Sequence, residues 1–393
     1  MYFRRTAAFG TAILAGALVL SACGQDSGSG SSSDPIKIGS VSGLTGPASY
    51  PDVVAAAQAV FDRVNAEGGI NGRKIEYIVQ DDKGDPAAAS QAARQLVDDD
   101  EVVANVGSAS LVDCSANTAY YAKSGVLSIQ AVGVDPACFS TPSISPVNTG
   151  PFEGYTALLY YASETMKHQK VCAIILGLPG LTEGYQKAVD RWSSLTGKTA
   201  ALVDTSVKFG DDPTPAILAA KSAGCEAVVF NATEPVTLNI MKSVQQQGLL
   251  DGVDWLTIAS SYTDAELDGL VKQGTPGLYV NAEFYPYTED SPALADWRKL
   301  LTDAKVPLTS LSQGGYLSAL IAVDTLKKID GDITRESVTE ALHSLDSWEN
   351  DMLGMPYSFG TADAHNPNRA SKIVQATNDG WTVVTPDWQK LPS

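Results

Sequence analysis

The sequence predicts an α/β protein with two parallel-sheet lobes in tandem, and three observations carry that reading. From Ile36 onward, short β-type runs alternate with amphipathic helical stretches. The alternation stops at a loop rich in Pro, Ser and Thr, residues 140–151, and then restarts. The 393 residues exceed one small domain and suit two lobes of ordinary size. Strand–helix–strand units require a parallel sheet covered on both faces. Two such lobes joined by a crossover enclose a cleft, the default place for a small ligand.

In the first lobe, residues 36–41 form a β run, followed by a helix over 52–66. Its apolar stripe is Val53, Ala56, Val60, Phe61 and Val64, with Pro51-Asp52 at the start and Gly68-Gly69 at the end. Residues 74–80 read as a strand. Asp85-Pro86 opens the next helix, the Asp as cap and the Pro at the first helical position. Strands at 102–107 and 126–131 flank a helix at 115–123. After the loop come helix 153–168, strand 171–176, helix 182–195, strand 200–204, helix 213–223, strand 227–231, helix 236–247 and strands at 255–258 and 278–281. Asp264 is expected to cap a helix at 265–270. Three helices near 292–304, 313–329 and 334–345 follow, and residues 358–385 read as β with a turn at Asp379-Gly380.

Composition narrows the function. The formal charge is −18, from 27 basic and 45 acidic residues, which argues against a nucleic-acid partner. The run Asp98-Asp99-Asp100-Glu101 reads as a solvated helix end. Three His and five Cys are scattered, a poor supply for metal chemistry. No HExxH, Cys-x-x-Cys, Gly-x-Ser-x-Gly or phosphate loop is present. The stretch Asp81-Asp82-Lys83-Gly84-Asp85 lacks calcium-loop spacing and reads as strand end plus cap. No catalytic residue, metal ligand or cofactor is assigned.

The amino terminus has the shape of an export signal. Arg4 and Arg5 precede an apolar stretch over residues 7–20, too short to span a hydrocarbon core of about 30 Å. It ends in Leu20-Ser21-Ala22-Cys23, which resembles a bacterial lipobox, so residues 1–22 are expected to be a signal peptide and Cys23 the lipidated residue. Residues 24–34 read GQDSGSGSSSD, a coil with a span of roughly 18 Å. Export agrees with the four remaining cysteines, which allow three pairings. Proximity within the lobes favours Cys114–Cys138 and Cys172–Cys225, with free buried thiols as the alternative for the second pair.

Several segments occur in a familiar order: Ile36-Lys37-Ile38-Gly39, Leu44-Thr45-Gly46, Gly68-Gly69-Ile70-Asn71-Gly72-Arg73-Lys74, then Asp81-Asp82 with Asp85-Pro86. Over residues 36–393 the chain resembles the leucine/isoleucine/valine-binding proteins of bacterial ABC importers. The resemblance implies a periplasmic binding protein of type I, two Rossmann-like lobes joined by a three-crossover hinge. It places the first lobe at 36–151 plus 282–354 and the second at 152–281 plus 355–393.

In that family, hydroxyls and backbone N–H groups of the first lobe hold the ligand carboxylate, and an acidic residue of the second takes the ammonium. Here the Ser position falls on Leu111, with Ser108 and Ser110 beside it. The small-residue and Thr positions fall on Val132 and Val134, a Tyr position on Leu181, and the acidic position on Ser260. An ammonium without a carboxylate partner is disfavoured in a buried site. The expected ligand is therefore an apolar or aromatic small acid or amide oriented by Ser108, Ser110 and Ser260. Glu183, Glu234 or Asp264 would supply a charge if one is needed. Tyr50, Tyr155, Tyr185 and Tyr262 are candidate aromatic walls, with core packing as the competing role.

The resemblance implies capture of a small molecule and delivery to a permease and ATPase complex, by a monomer held at the membrane through Cys23. Two other classes stay open on the sequence: a sensory receptor lobe and an envelope hydrolase.

Overall fold

In the first sheet five strands run parallel in the order β2-β1-β3-β4-β5. The computed structural model describes residues 34–46, 49–178 and 180–392. The expected leader, Cys23 and the tether as far as residue 33 lie outside the described residues. The strands are β1 (Ile36–Ser42), β2 (Ile75–Asp81), β3 (Ala104–Ala109), β4 (Ser128–Val132) and β5 (Ile144–Pro146). Helices α1 (Pro51–Ala66), α2 (Pro86–Arg94) and α3 (Asp113–Ser124) alternate with them. One face of the sheet buries Ile36, Ile38, Val106 and Ile129 against Val60, Phe61 and Tyr316. The other buries Val41 and Val102 against Ala89, Ala93, Leu96 and Tyr121. Asp85 caps α2 as expected, its carboxylate accepting from the Ala88 N–H at 2.8 Å. Gly69 has φ +83°, and a Cβ there would lie 2.0 Å from the Arg73 carbonyl, so the Gly-Gly turn into β2 needs glycine.

Chain enters the second sheet through α4 (Pro151–Tyr160), which continues into a turn of π-helix at Tyr161–Thr165. Strands β6 (Val171–Ile174), β7 (Leu202–Asp204), β8 (Ala227–Phe230), β9 (Asp254–Thr257) and β10 (Tyr279–Ala282) are parallel, and the intervening helices are α5 (Thr182–Thr196), α6 (Thr214–Ala223), α7 (Glu234–Gln246) and α8 (Asp264–Gln273). α9 (Ala295–Asp303), α10 (Ser310–Leu326) and α11 (Arg335–His343) follow, and α10 lies against α1, β3 and β4 of the first sheet. The chain then returns as β11 (Ala370–Thr377), antiparallel to β10, with β12 (Gly380–Val383) and β13 (Gln389–Lys390) pairing onto it. The chain thus passes between the sheets three times.

Both cysteine pairings are present, Cys114–Cys138 and Cys172–Cys225. The second follows from register: Val171 of β6 pairs with Ala227 of β8, which brings the two cysteines to one end of neighbouring parallel strands. In the chain-entropy picture each bridge contributes on the order of 3–4 kcal/mol.

Three sequence expectations change. The Pro/Ser/Thr loop contains strand β5, whose edge position tolerates Pro146. The β run expected over 358–385 is confined to β11 and β12. Residues 357–365 instead follow the edge of the first sheet, with the Tyr357 hydroxyl donating to Ser145 O, Ser145 Oγ to Ser358 O, and His365 bonded to Pro142 O. The cap of α8 is Thr263, whose Oγ1 accepts from the Glu266 N–H at 3.0 Å, and Asp264 is already helical.

Candidate functional site

Parallel α/β sheets place ligands beyond the carboxyl ends of their strands. At that end of the first sheet, Val53, Ala109, Ala131 and Val132 form a small buried cluster, with Tyr50, Val134 and Leu311 packed on it. The structure therefore brings Tyr50, Val132 and Val134 together through α1, β4 and α10. Asp81 holds the loop that leads to Tyr50, accepting from the Leu44, Thr45 and Lys83 N–H groups and the Thr45 hydroxyl. Slight burial opposes its charge, but these donors hold the carboxyl down at about 2. Burial, and then the charge of Asp82, pushes the Tyr50 phenol up to about 12, so it is a neutral donor at any ordinary pH.

Neither of the expected serines of the first lobe has an idle hydroxyl. Ser108 is buried with its Oγ 3.3 Å from that of Ser40. Ser110 Oγ accepts from the N–H groups of Val112 and Asp113 at 3.0 and 2.9 Å, which ties down the start of α3. Leu111, between that turn and α3, is half-buried.

In the second sheet, Leu181 sits just before α5, half-buried against a cluster that includes Tyr185 and Trp192. Ser260 follows β9 and is exposed, its hydroxyl donating to Ala232 O at 2.9 Å. Both lie beyond the carboxyl ends of β6 and β9. The structure does not place Tyr155, Tyr185 or Tyr262 on a wall. Tyr155 is fully buried, with its hydroxyl donating to Val229 O at 2.8 Å, and its ring meets Tyr185 edge-on. Tyr262 is buried between Tyr287 and Trp381, ring centroids 4.6 and 5.2 Å away, and its hydroxyl bonds Thr288 Oγ1 at 2.9 Å. Core packing is the role the structure gives all three.

Of the proposed charges, Glu183 is exposed and paired with Lys187 at 2.8 Å. Asp264 accepts from the Tyr287 hydroxyl at 2.8 Å. Glu234 opens α7, half-buried, and accepts from the Thr263 hydroxyl at 3.3 Å. Beside it lies a residue that the sequence reading missed. Glu266 is fully buried, neither carboxyl oxygen has a hydrogen-bond partner, and burial followed by repulsion from Glu234 pushes it up to about 9. Its spacing from Thr263 reads as a capping box, which hides its burial.

Among the described residues at these strand ends no nucleophile–base pair forms. His168 bonds Asp254 at 2.7 Å before β6, His343 closes α11, and His365 bonds a backbone carbonyl. Among the described residues the one group of three potential metal donors is Cys114, Asp135 and Cys138, and both thiols are spent in a disulfide. No described helix is long and apolar enough to cross a membrane.

A profile of the periplasmic binding proteins matches residues 35–381. The chain belongs to the periplasmic binding protein family. Curated relatives include the leucine-, isoleucine-, valine-, threonine- and alanine-binding protein of Pseudomonas aeruginosa, 28% identical over 229 residues, covering 55% of this chain and 58% of that protein. The Leu/Ile/Val-binding protein of Escherichia coli is 26% identical over 248 residues, covering 61% of this chain and 65% of that one. The aligned stretches thus span somewhat over half the length of these relatives. Among solved structures, the branched-chain amino acid transporter substrate binding protein LivJ of Streptococcus pneumoniae, in complex with isoleucine, has TM-score 0.72 at 19% identity, covering 90% of this chain and all of that one. A fatty acid ABC transporter substrate-binding protein of Thermomonospora curvata has TM-score 0.73 at 19% identity, covering 93% of this chain and 97% of that chain. The resemblance and the type I fold read from the sequence are thereby borne out. By name these curated relatives are amino-acid-binding proteins.

Proposed function

We propose that this binding protein is the extracytoplasmic solute-binding lipoprotein of an ABC importer of the branched-chain-amino-acid type. It captures a small solute with an apolar or aromatic body and a carboxyl or amide end, and delivers it to a permease. The first lobe takes 36–151 and the stretch from 282 through 365, since residues 357–365 bond to Ser145 and Pro142 at the edge of the first sheet, and the second takes 152–281 with the chain from β11 onward. Cys23 carries the lipid that keeps the protein at the membrane, where one acyl chain alone would hold only weakly.

The observation that carries the ligand class is the partly exposed apolar set Tyr50, Val134 and Leu311, seated on the buried cluster of Val53, Ala109, Ala131 and Val132, with Ser260 where the resemblance puts an acid. Closure over such a surface rewards apolar area at about 25 cal/mol per Å². It leaves the polar end of the ligand to Ser260, the Tyr50 phenol and backbone N–H groups. Glu234 supports a second reading, an aliphatic amino acid whose ammonium meets that carboxylate.

Thermal unfolding against amino acids, aromatic acids, fatty acyl acids and amides separates the two. A ligand of micromolar affinity at 1 mM stabilises by about 4 kcal/mol, a shift of several degrees. A shift with apolar acids or amides alone supports the first reading. A shift with leucine or valine, abolished by Glu234→Gln, supports the second. For whichever ligand binds, Ser260→Ala is expected to weaken affinity roughly fivefold to tenfold, about 1 kcal/mol. Unchanged affinity in calorimetry removes Ser260 from the site.

A further inference from the structure

The three passages between the sheets meet in one hydrogen-bonded knot, and its centre is a buried acid. Glu283, the first residue after β10, accepts from the Gly150 N–H at 2.7 Å and from Asn148 Nδ2 at 3.1 Å, both on the first passage. Asn148 Oδ1 in turn accepts from the Gly133 N–H at 2.8 Å, which ties the knot to the end of β4. From the third passage Asn368 Nδ2 donates to the Glu283 carbonyl at 3.0 Å and to Val147 O at 3.4 Å, and Ala370 O accepts from the Thr149 hydroxyl at 2.9 Å. Gly150 has φ +83°, and a Cβ there would lie 2.2 Å from the Phe139 ring, so the first passage has little freedom to rearrange around a side chain. A cavity of about 200 Å³ lies alongside, lined by Gly150, Phe152, Glu153 and Asn366 among others.

We propose that Glu283 is the positioning residue of the hinge, and that gain or loss of its proton shifts the balance between closed and open arrangements of the two halves. The inference rests on closure of a two-lobed fold and is independent of which solute is bound. Among the described residues no cation pairs with Glu283. Glu153 of α4 is taken up by Arg191 of α5 and feels Arg369, while Lys372 of β11 donates to Thr385 O and Pro386 O. Tyr185 of α5, neutral in its buried position, is the remaining titratable group that shares the field of Glu283.

Burial pushes the Glu283 carboxyl up to about 7, with the Gly150 and Asn148 bonds pulling it part of the way back. The sign follows from that direction. The neutral form suits the buried knot, so the knot is intact below the ordinary carboxyl range and loosens as pH rises through about 7, when the new charge favours arrangements that admit water.

The test uses the full chain without added solute, between pH 5 and 8.5. The amide NMR shifts of Gly150 and of the Asn148 side chain report ionisation of Glu283, and the radius of gyration from small-angle X-ray scattering reports opening. In the unmodified chain both are expected to move with one midpoint near 7, the radius growing on the alkaline side. In Glu283→Gln both are expected to stay flat at their acid values. Shifts that titrate without a change in radius overturn the proposal, as does a radius change that survives Glu283→Gln. If that variant does not fold, Asn148→Ala serves instead: losing one donor to the carboxylate raises both midpoints together, and unmoved midpoints overturn the proposal.

Discussion

Asp113 in the first half and Glu266 in the second are both fully buried acids in the opening turn of a helix, yet burial raises the second much further than the first. Asp113 Oδ1 accepts from Asn117 Nδ2 and the Tyr121 hydroxyl, each at 2.8 Å, and its Oδ2 accepts from Gln130 Nε2 at 2.7 Å. Burial raises it, these three donors pull it back, and it titrates at about 6. Glu266 has no donor and Glu234 nearby, and it titrates at about 9. Equal burial thus raises a carboxyl less where donors converge than where they do not, because hydrogen bonds to the charged form offset part of its desolvation.

The largest effect is expected at Asp113. Asp113→Ala leaves three buried donors short of an acceptor and is expected to cost about 2–4 kcal/mol in urea unfolding at pH 7. A cost under 1 kcal/mol would mean that the three bonds do not anchor α3 to the sheet.

Glu266 makes stability depend on pH. Its folded value lies above the ordinary one of 4.5, so the stability it contributes is present in full below that value and is lost as pH rises toward 9. Inside that window the slope approaches 1.4 kcal/mol per pH unit. Glu266→Gln is expected to remove that part of the slope between pH 6 and 9 while changing stability at pH 5 by less than about 1 kcal/mol. An unchanged slope refutes the assignment.

The smallest effect belongs to Tyr262. Tyr262→Phe removes the bond to Thr288 and is expected to cost about 1 kcal/mol of stability with ligand affinity unchanged. Lost affinity at full stability would return Tyr262 to the cleft.

These side chains also mark how far the sequence could be read. Strand–helix alternation, the Asp85 cap, the Gly68-Gly69 turn and both disulfides were legible because each depends on residues near in sequence or on the register of neighbouring parallel strands. β5 was hidden because Pro and Ser dominate its short edge run. The landmarks of the resemblance picked out Val132 and Val134, and Tyr50 entered separately as a candidate aromatic wall; the structure packs all three on one small cluster. What landmarks do not convey is whether a side chain has a free hydrogen-bonding group. Ser110 is spent on the start of α3, and Tyr262 is enclosed by Tyr287, Thr288 and Trp381, the last of them more than a hundred residues away. Glu283 shows the same limit, since its partners Asn148 and Gly150 come from another passage of the chain.

From the sequence alone came the α/β class, the two-lobed plan, the cysteine pairs and the family, since periodicity, turn chemistry and ordered motifs are properties of local chain. Only the tertiary structure decided which hydroxyls are occupied, which acids are charged and where the hinge is knotted. Those depend on desolvation and on donors supplied by distant segments, and neither exists until the sheets have closed over them.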